Sequence, residues 1–270
     1  MRALPYAIRT GGHDGKPVQV SVFDPRNAAW LASFTVGAHT VLLRGPPRRF
    51  REAGHVVAHA AWVRVLPEPF GERNIDPDWL AKALAANAGN ERDVFAIAMQ
   101  YIGDAASYGP LIGDTREEGS DFNDYLGIAW KYPDEPTDPP EQRQVGCMDC
   151  SGYVRMVYGY RSRMALCRAP RDDRAAIPRH AHEMASHAPG VKIPRDDAAP
   201  GDLVFFDADA GDGPQIDHVG IYMGRDTKGH RRFLSSRKRA DGPTMGDTGG
   251  KSILDGDGLY AGAFCKVRRL

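Results

Sequence analysis

The stretch from Gly146 to Tyr158, GCMDCSGYVRMVY, restricts what this chain can fold into more than any other. Asp149 and Ser151 are strong N-cap residues, and Tyr153, Met156 and Val157 recur at helical spacing on one face. A loop therefore becomes a helix here, with Cys150 in the first turn. Unpaired backbone N–H groups and the partial positive charge of a helix start favour thiolate over thiol, and such amides also bind an oxyanion. A nucleophile so placed still lacks a base.

The base candidate lies in GDLVFF and IDHVGIYMG, two apolar strand runs with His218 opening the second. In an alternating strand His218, Gly220 and Tyr222 share one face, while Asp217 and Val219 share the other. His218 is thus expected to face Cys150, and Asp217 is not. A sequence-distant Cys and His meeting across a helix and a sheet is the arrangement of a papain-like cysteine peptidase. The strings DCSGYV, IPRHAHEM, APGDLVFF and DHVGIYMG, in that order, closely resemble the NlpC family of bacterial cell-wall cysteine endopeptidases, over roughly Asp93 to Leu270. The resemblance implies an α+β fold, with a Cys-bearing helix packed on an antiparallel sheet that bears the His.

A catalytic imidazole is oriented by a hydrogen bond from its far nitrogen. The resembled family usually has His, sometimes Asn or Gln, on the strand after the His strand. Here RRFLSSR puts Ser235 in that place, with His230 in the preceding turn as the alternative. Serine accepts an imidazole N–H but brings no charge to an imidazolium, which argues for weakened chemistry. The catalytic candidates are therefore Cys150, His218 and Ser235.

The resemblance also implies the partner, a peptidoglycan stem peptide cut between D-glutamate and the diamino acid. By the same analogy Asp149 and Ser151 recognise its free amine, although simple N-capping accounts for both residues equally. A Tyr before the nucleophile helix often lines the site in this family, and Tyr108 in SYGP is the match. A long acidic, Gly- and Pro-rich segment, 111–145, separates it from Cys150. Its Phe122, Tyr125, Trp130 and Tyr132 suit either a wall of the cleft or a surface insertion.

Upstream, VQVSV, ASFTV, TVLLRG and HAAWVRVL are short β-rich runs between turn residues, so 1–75 reads as a small all-β domain. The family often carries SH3-like wall-binding modules, and no motif here assigns such a role. Residues 76–90 read as a linker helix capped by Asp76 or Asp78, and 91–270 as the peptidase domain with its insertion at 111–145. The first helix of that domain places Val94, Ile97, Ala98 and Tyr101 on one face.

The 35 basic and 35 acidic residues cancel, so no global field recruits nucleic acid or an anionic membrane. The basic run Arg237 to Arg239 reads as a solvated face or as a contact for glycan or anionic polymer. No apolar run is long enough for a membrane span, and Met1 to Gly12 holds no signal-peptide core. If exported, the protein is expected outside the cell or at the cell wall.

No cofactor or metal is expected. Cys147 and Cys150 form one CxxC without a second. RHAHEMASH lacks HExxH, although His180, Glu183 and His187 fall at i, i+3 and i+7. GDTGGKS (Gly246 to Ser252) misses phosphate-loop spacing, DADAGDG misses the calcium-loop register, and both read as turns. Besides peptidase action, two readings compete: a thiol amidase or acyltransferase on another target, and a cell-wall-binding module that has lost turnover.

Overall fold

Alternating β-branched runs in the first quarter of the chain build an antiparallel meander. In this computed structural model, which describes residues 6–12, 15–71, 75–88, 93–102, 119–133, 135–209, 211 and 213–270, its strands pair in sequential order. They are β1 (Ala7–Gly11), β2 (Gln19–Phe23), β3 (Trp30–Thr35), β4 (Thr40–Glu52) and β5 (His55–Val65). The exposed first strand is the one the sequence did not announce. β4 and β5 form a long hairpin whose register shifts between Arg44 and Arg48, at the Gly-Pro-Pro that cannot sustain a ladder.

Helix α1 (Pro77–Ala88) starts on a proline, and the Asp76 carboxylate accepts the N–H groups of Asp78 (2.9 Å) and Trp79 (3.4 Å). Leu80 and Ile75 pack with Val22, Phe34, Val41 and Leu43, so the expected linker helix belongs to the core of the first sheet. Helix α2 (Val94–Ala98) is capped by the buried Asp93, which also accepts two hydrogen bonds from Arg48 (2.7 and 2.6 Å) and one from the N–H of Val63. A local cap thereby joins the hairpin to the second half of the chain.

Within the insertion, α3 (Phe122–Leu126) is followed by the short hairpin of β6 (Trp130–Lys131) and β7 (Thr137–Asp138). Phe122, Tyr125 and Tyr132 are buried in the main core. Trp130 packs edge-on to Phe122. Phe122, Tyr125 and Tyr132 fill the interior, Trp130 is half-buried against them, and none lines the cleft, because burying rings of that size stabilises far more than leaving them on a wall.

The nucleophile helix, α4 (Cys150–Val154), continues as a wider π-helix through Arg161. Five residues have no helical stability of their own; burial of Tyr153, Val154 and Val157 holds the segment. Then follow α5 (Ala181–His187), β8 (Val191–Ile193), β9 (Leu203–Phe206), β10 (His218–Arg225), β11 (Arg231–Arg237), β12 (Gly242–Thr244), α6 (Leu259–Ala263) and β13 (Phe264–Arg269). These strands form one six-stranded sheet in the order β12-β11-β10-β9-β13-β8, with antiparallel pairing throughout. The molecule is thus α+β, with a five-stranded all-β sheet first.

The two sheets are tied directly. The C-terminal Leu270 carbonyl accepts the N–H and the hydroxyl of Thr40 (2.6 and 2.7 Å). Arg269 pairs with Asp202 and donates to Thr35 Oγ1, all at 2.8 Å. Among the described residues no helix is long and apolar enough to cross a membrane.

Candidate active site

Asp149 caps α4 through the N–H of Gly152 (2.6 Å), which puts Cys150 at the first helical position. Gly152 has a packing duty: a Cβ there would lie 2.4 Å from the Ser120 carbonyl oxygen, so the chain before α3 sits directly on the helix start. Ser151 donates to Asp149 (3.0 Å), and Arg179 clamps both, reaching Asp149 Oδ2 at 2.6 Å and Ser151 Oγ at 2.6 Å. Burial would raise the Asp149 carboxyl, but the charge and hydrogen bonds of Arg179 hold it below its ordinary value. Asp149 and Ser151 are therefore engaged in structure, while both still border the cleft.

His218 pairs with Phe206 across the β9–β10 ladder. Alternation along β10 holds, but the opposite face turns toward α4. Val219, Ile221 and Met223 pack into the core beneath α4, whereas His218 lies on the opposite face, its ring 5.1 Å from Tyr260 and 5.9 Å from Phe206. Cys150 and His218 are both half-buried and both line a cleft of about 810 Å³. The Asp217 side chain turns away to accept the N–H groups of Ala208 (2.7 Å) and Asp209 (2.6 Å). Its backbone carbonyl receives the Cys150 thiol at 4.0 Å.

Ser235 Oγ lies 3.0 Å from His218 Nε2, which leaves Nδ1 for other chemistry. His230 stays in its turn, 3.5 Å from Asp255. The neighbouring hydroxyl of Ser236 donates to the Met148 carbonyl, so β11 is fastened to the loop before Cys150. Arg237 donates to Ser235 Oγ (3.0 Å) and, although part of a run expected to be solvated, is 5% exposed. Tyr108 lies outside the described residues.

The expected thiolate is not the resting state. Burial, and then the charge of Asp149, push the Cys150 thiol up to about 12, outweighing the N–H groups of Val219 and Ser151 that favour ionisation. Burial and then Arg237 push His218 down to about 3, against the pull of Asp149. Sulfur and ring both rest neutral because desolvation penalises either charge more than local dipoles relieve it.

The metal-like cluster resolves otherwise. Glu183 accepts the backbone N–H of His180 (3.0 Å) at the start of α5, and the rings of His180 and His182 stack 5.7 Å apart on the cleft rim. All four cysteines are free thiols. The residues missed by sequence reasoning are Arg179 and Arg237. For Arg179 the signal was its place in IPRHAHEM; for Arg237 no local signal distinguishes it from Lys238 and Arg239.

Residues 139–241, which hold Cys150, His218 and Ser235, match the sequence model of the NlpC/P60 family. No curated protein matches the chain. Among solved structures, a Staphylococcus aureus subsp. aureus Mu50 protein described as similar to lipoprotein, NLP/P60 family, is 19% identical with a TM-score of 0.31, covering 58% of this chain and 43% of that one. The chain thus spans less than half of that protein's length. NlpC1 and NlpC2 from Trichomonas vaginalis are each 14% identical, with TM-scores of 0.38 and 0.32; each covers 98% of this chain, and the matches span 80% and 84% of theirs. Likenesses this distant carry no argument about chemistry.

Proposed function

We propose, on the premise that this chain carries a domain of the NlpC/P60 family, that it is a cysteine peptidase acting on bacterial peptidoglycan stem peptides. Membership of that family suggests a cell-wall peptidase-type activity; the stem peptide, and its D-glutamyl to diamino acid bond, are the finer reading. One observation carries it. Cys150 and His218 open on the same cleft, with His218 Nε2 engaged by Ser235 and Nδ1 outside that bond.

In this mechanism His218 takes the thiol proton, the sulfur attacks the peptide carbonyl, and N–H groups at the start of α4 hold the oxyanion. The ring then gives its proton to the leaving amine. A water, deprotonated by His218, hydrolyses the acyl-enzyme and frees the thiol. Burial disfavours both charges in the resting protein, so the transfer starts from a neutral thiol and a neutral ring.

The test is digestion of purified muropeptides by the wild type and Cys150→Ala, read by mass spectrometry. Cleavage by the wild type alone is expected; equal product from both sinks the hydrolase. The uncharged Ser235 and the depressed imidazole favour a second reading, a stem-peptide-binding domain with little turnover. Binding by both proteins without product from either would support it.

A further inference from the structure

Ser235 Oγ lies between two nitrogens, 3.0 Å from His218 Nε2 and 3.0 Å from Arg237 Nε, and the residue is wholly buried. A hydroxyl has one hydrogen and two acceptor positions, and a guanidinium N–H only donates. One acceptor position is therefore taken by Arg237. Among the described residues the imidazole is the other partner of this hydroxyl, so its hydrogen has one destination, the lone pair of Nε2. The converse arrangement, with Nε2–H donated to Oγ, strands a buried O–H without an acceptor, which folded proteins avoid.

Arg237 has little freedom to release the serine. Its guanidinium donates to the Gly250 carbonyl (2.5 Å) and to Ser252 Oγ, and lies 4.6 Å from the centre of the Tyr260 ring. The segment that reads as a failed phosphate loop, 246–252, is what holds it. The charged and titratable groups around the imidazole are Arg237 behind Ser235, Tyr260 from α6, and Cys150 with Asp149 at the start of α4. Burial and Arg237 outweigh the pull of Asp149, which is paired with Arg179, so the ring stays uncharged near neutral pH and only its tautomer remains to be set.

We propose, resting on the reading of Cys150 and His218 as the reacting pair, that Arg237 is a positioning residue acting through Ser235. By occupying one side of the hydroxyl it turns the hydroxyl hydrogen onto Nε2 and sets the resting imidazole in the tautomer protonated on Nδ1. A protonated Nδ1 accepts nothing from the thiol. Activation requires the ring to exchange tautomer: one proton leaves Nδ1, one is taken up at Nε2, and the serine O–H gives up its acceptor, so the resting arrangement opposes activation. The exchange conserves charge and leaves Nδ1 with a lone pair for the thiol proton.

Two-bond proton–nitrogen spectra of the full chain, labelled with 15N-histidine and without substrate, read this directly at neutral pH, with His218→Gln assigning the signals. The wild type is expected to show a protonated Nδ1 and a bare Nε2 at His218; any other pattern overturns the proposal. In Arg237→Met the Nδ1–H preference is expected to be lost and the His218 titration midpoint to rise by about one pH unit or more. An unchanged tautomer and midpoint in that variant, shown folded by circular dichroism, would also overturn it. Should Arg237→Met not fold, Ser235→Ala serves, and retention of the wild-type tautomer there overturns the proposal. No turnover enters these spectra, so failure of the muropeptide digestion defeats the hydrolase reading and leaves the tautomer result standing.

Discussion

Glu52, at the tip of the β4–β5 hairpin, accepts the hydroxyl of Thr244 at 2.7 Å, and its other carboxylate oxygen accepts the N–H of Met245 at 2.5 Å. Thr244 pairs in register with Ser235. A carboxylate of the first sheet thus holds the strand that flanks the residue against His218, and the Val57–Asp226 bridge adds a second tie nearby. The N-terminal sheet is a brace for the cleft as much as a separate unit.

That brace is measurable. Glu52→Ala is expected to destabilise the protein by about 1–3 kcal/mol, because it leaves a partly buried hydroxyl and N–H without their acceptor. A double-mutant cycle with Thr244→Val, read by urea unfolding, should give a coupling of about 0.5 kcal/mol or more. Strict additivity would mean that the contact contributes nothing.

Thiol reactivity should follow the surroundings and not the helix start. Cys265 is exposed, whereas the Cys150 thiol is pushed up to about 12. In timed alkylation at neutral pH, Cys265 is expected to be labelled first and Cys150 to lag, its rate still climbing in strongly alkaline buffer. Faster labelling of Cys150 in the peptide map would contradict the neutral resting pair.

Acid should weaken the fold through His218. Its folded value, about 3, lies below the ordinary 6.5, so the neutral ring contributes stability that is complete above 6.5 and is lost as pH falls toward 3. His59, also held down by burial, acts with the same sign. His218→Gln should therefore lose less stability than the wild type between pH 6.5 and 4, followed as urea midpoints. Parallel curves would rule out this contribution.

Arg155 is wholly buried and donates to Asp121 (3.0 and 2.9 Å) and to the carbonyls of Cys167 (2.7 Å) and Ile177 (2.8 Å). Arg155 also donates to the Tyr132 hydroxyl, so Arg155→Met leaves four acceptor groups short of a donor and is expected to cost about 3–5 kcal/mol in chemical unfolding. A loss under 1 kcal/mol would show that Arg179, 3.7 Å from Asp121, compensates.

Gly152→Ala drives a methyl group to 2.4 Å from the Ser120 carbonyl. About 1–3 kcal/mol of destabilisation is expected, because either the Ser120 backbone or the helix start must shift. Unchanged thermal unfolding would show that the helix start shifts without cost.

The reach of local reasoning follows from the range of each force. Capping acts across three residues, so the start of α4 at Cys150 and its cap Asp149 were legible in the string itself. The strand runs of β2 to β5 and β9 to β11 were equally legible, as was His218 at the head of one, while β1, β8, β12 and β13 were not. The chain alone thus determined the start of α4, the main strand runs and the side chains that stand at their ends. Burial is a sum over residues remote in sequence, and only the assembled fold decided it. It turned Val219 and not His218 toward the core under α4, drew the insertion's aromatics inside, closed 246–252 over Arg237, and raised the thiol against its own helix dipole. Desolvation dominates there because neighbours from several elements remove water together, an effect no short window of sequence contains.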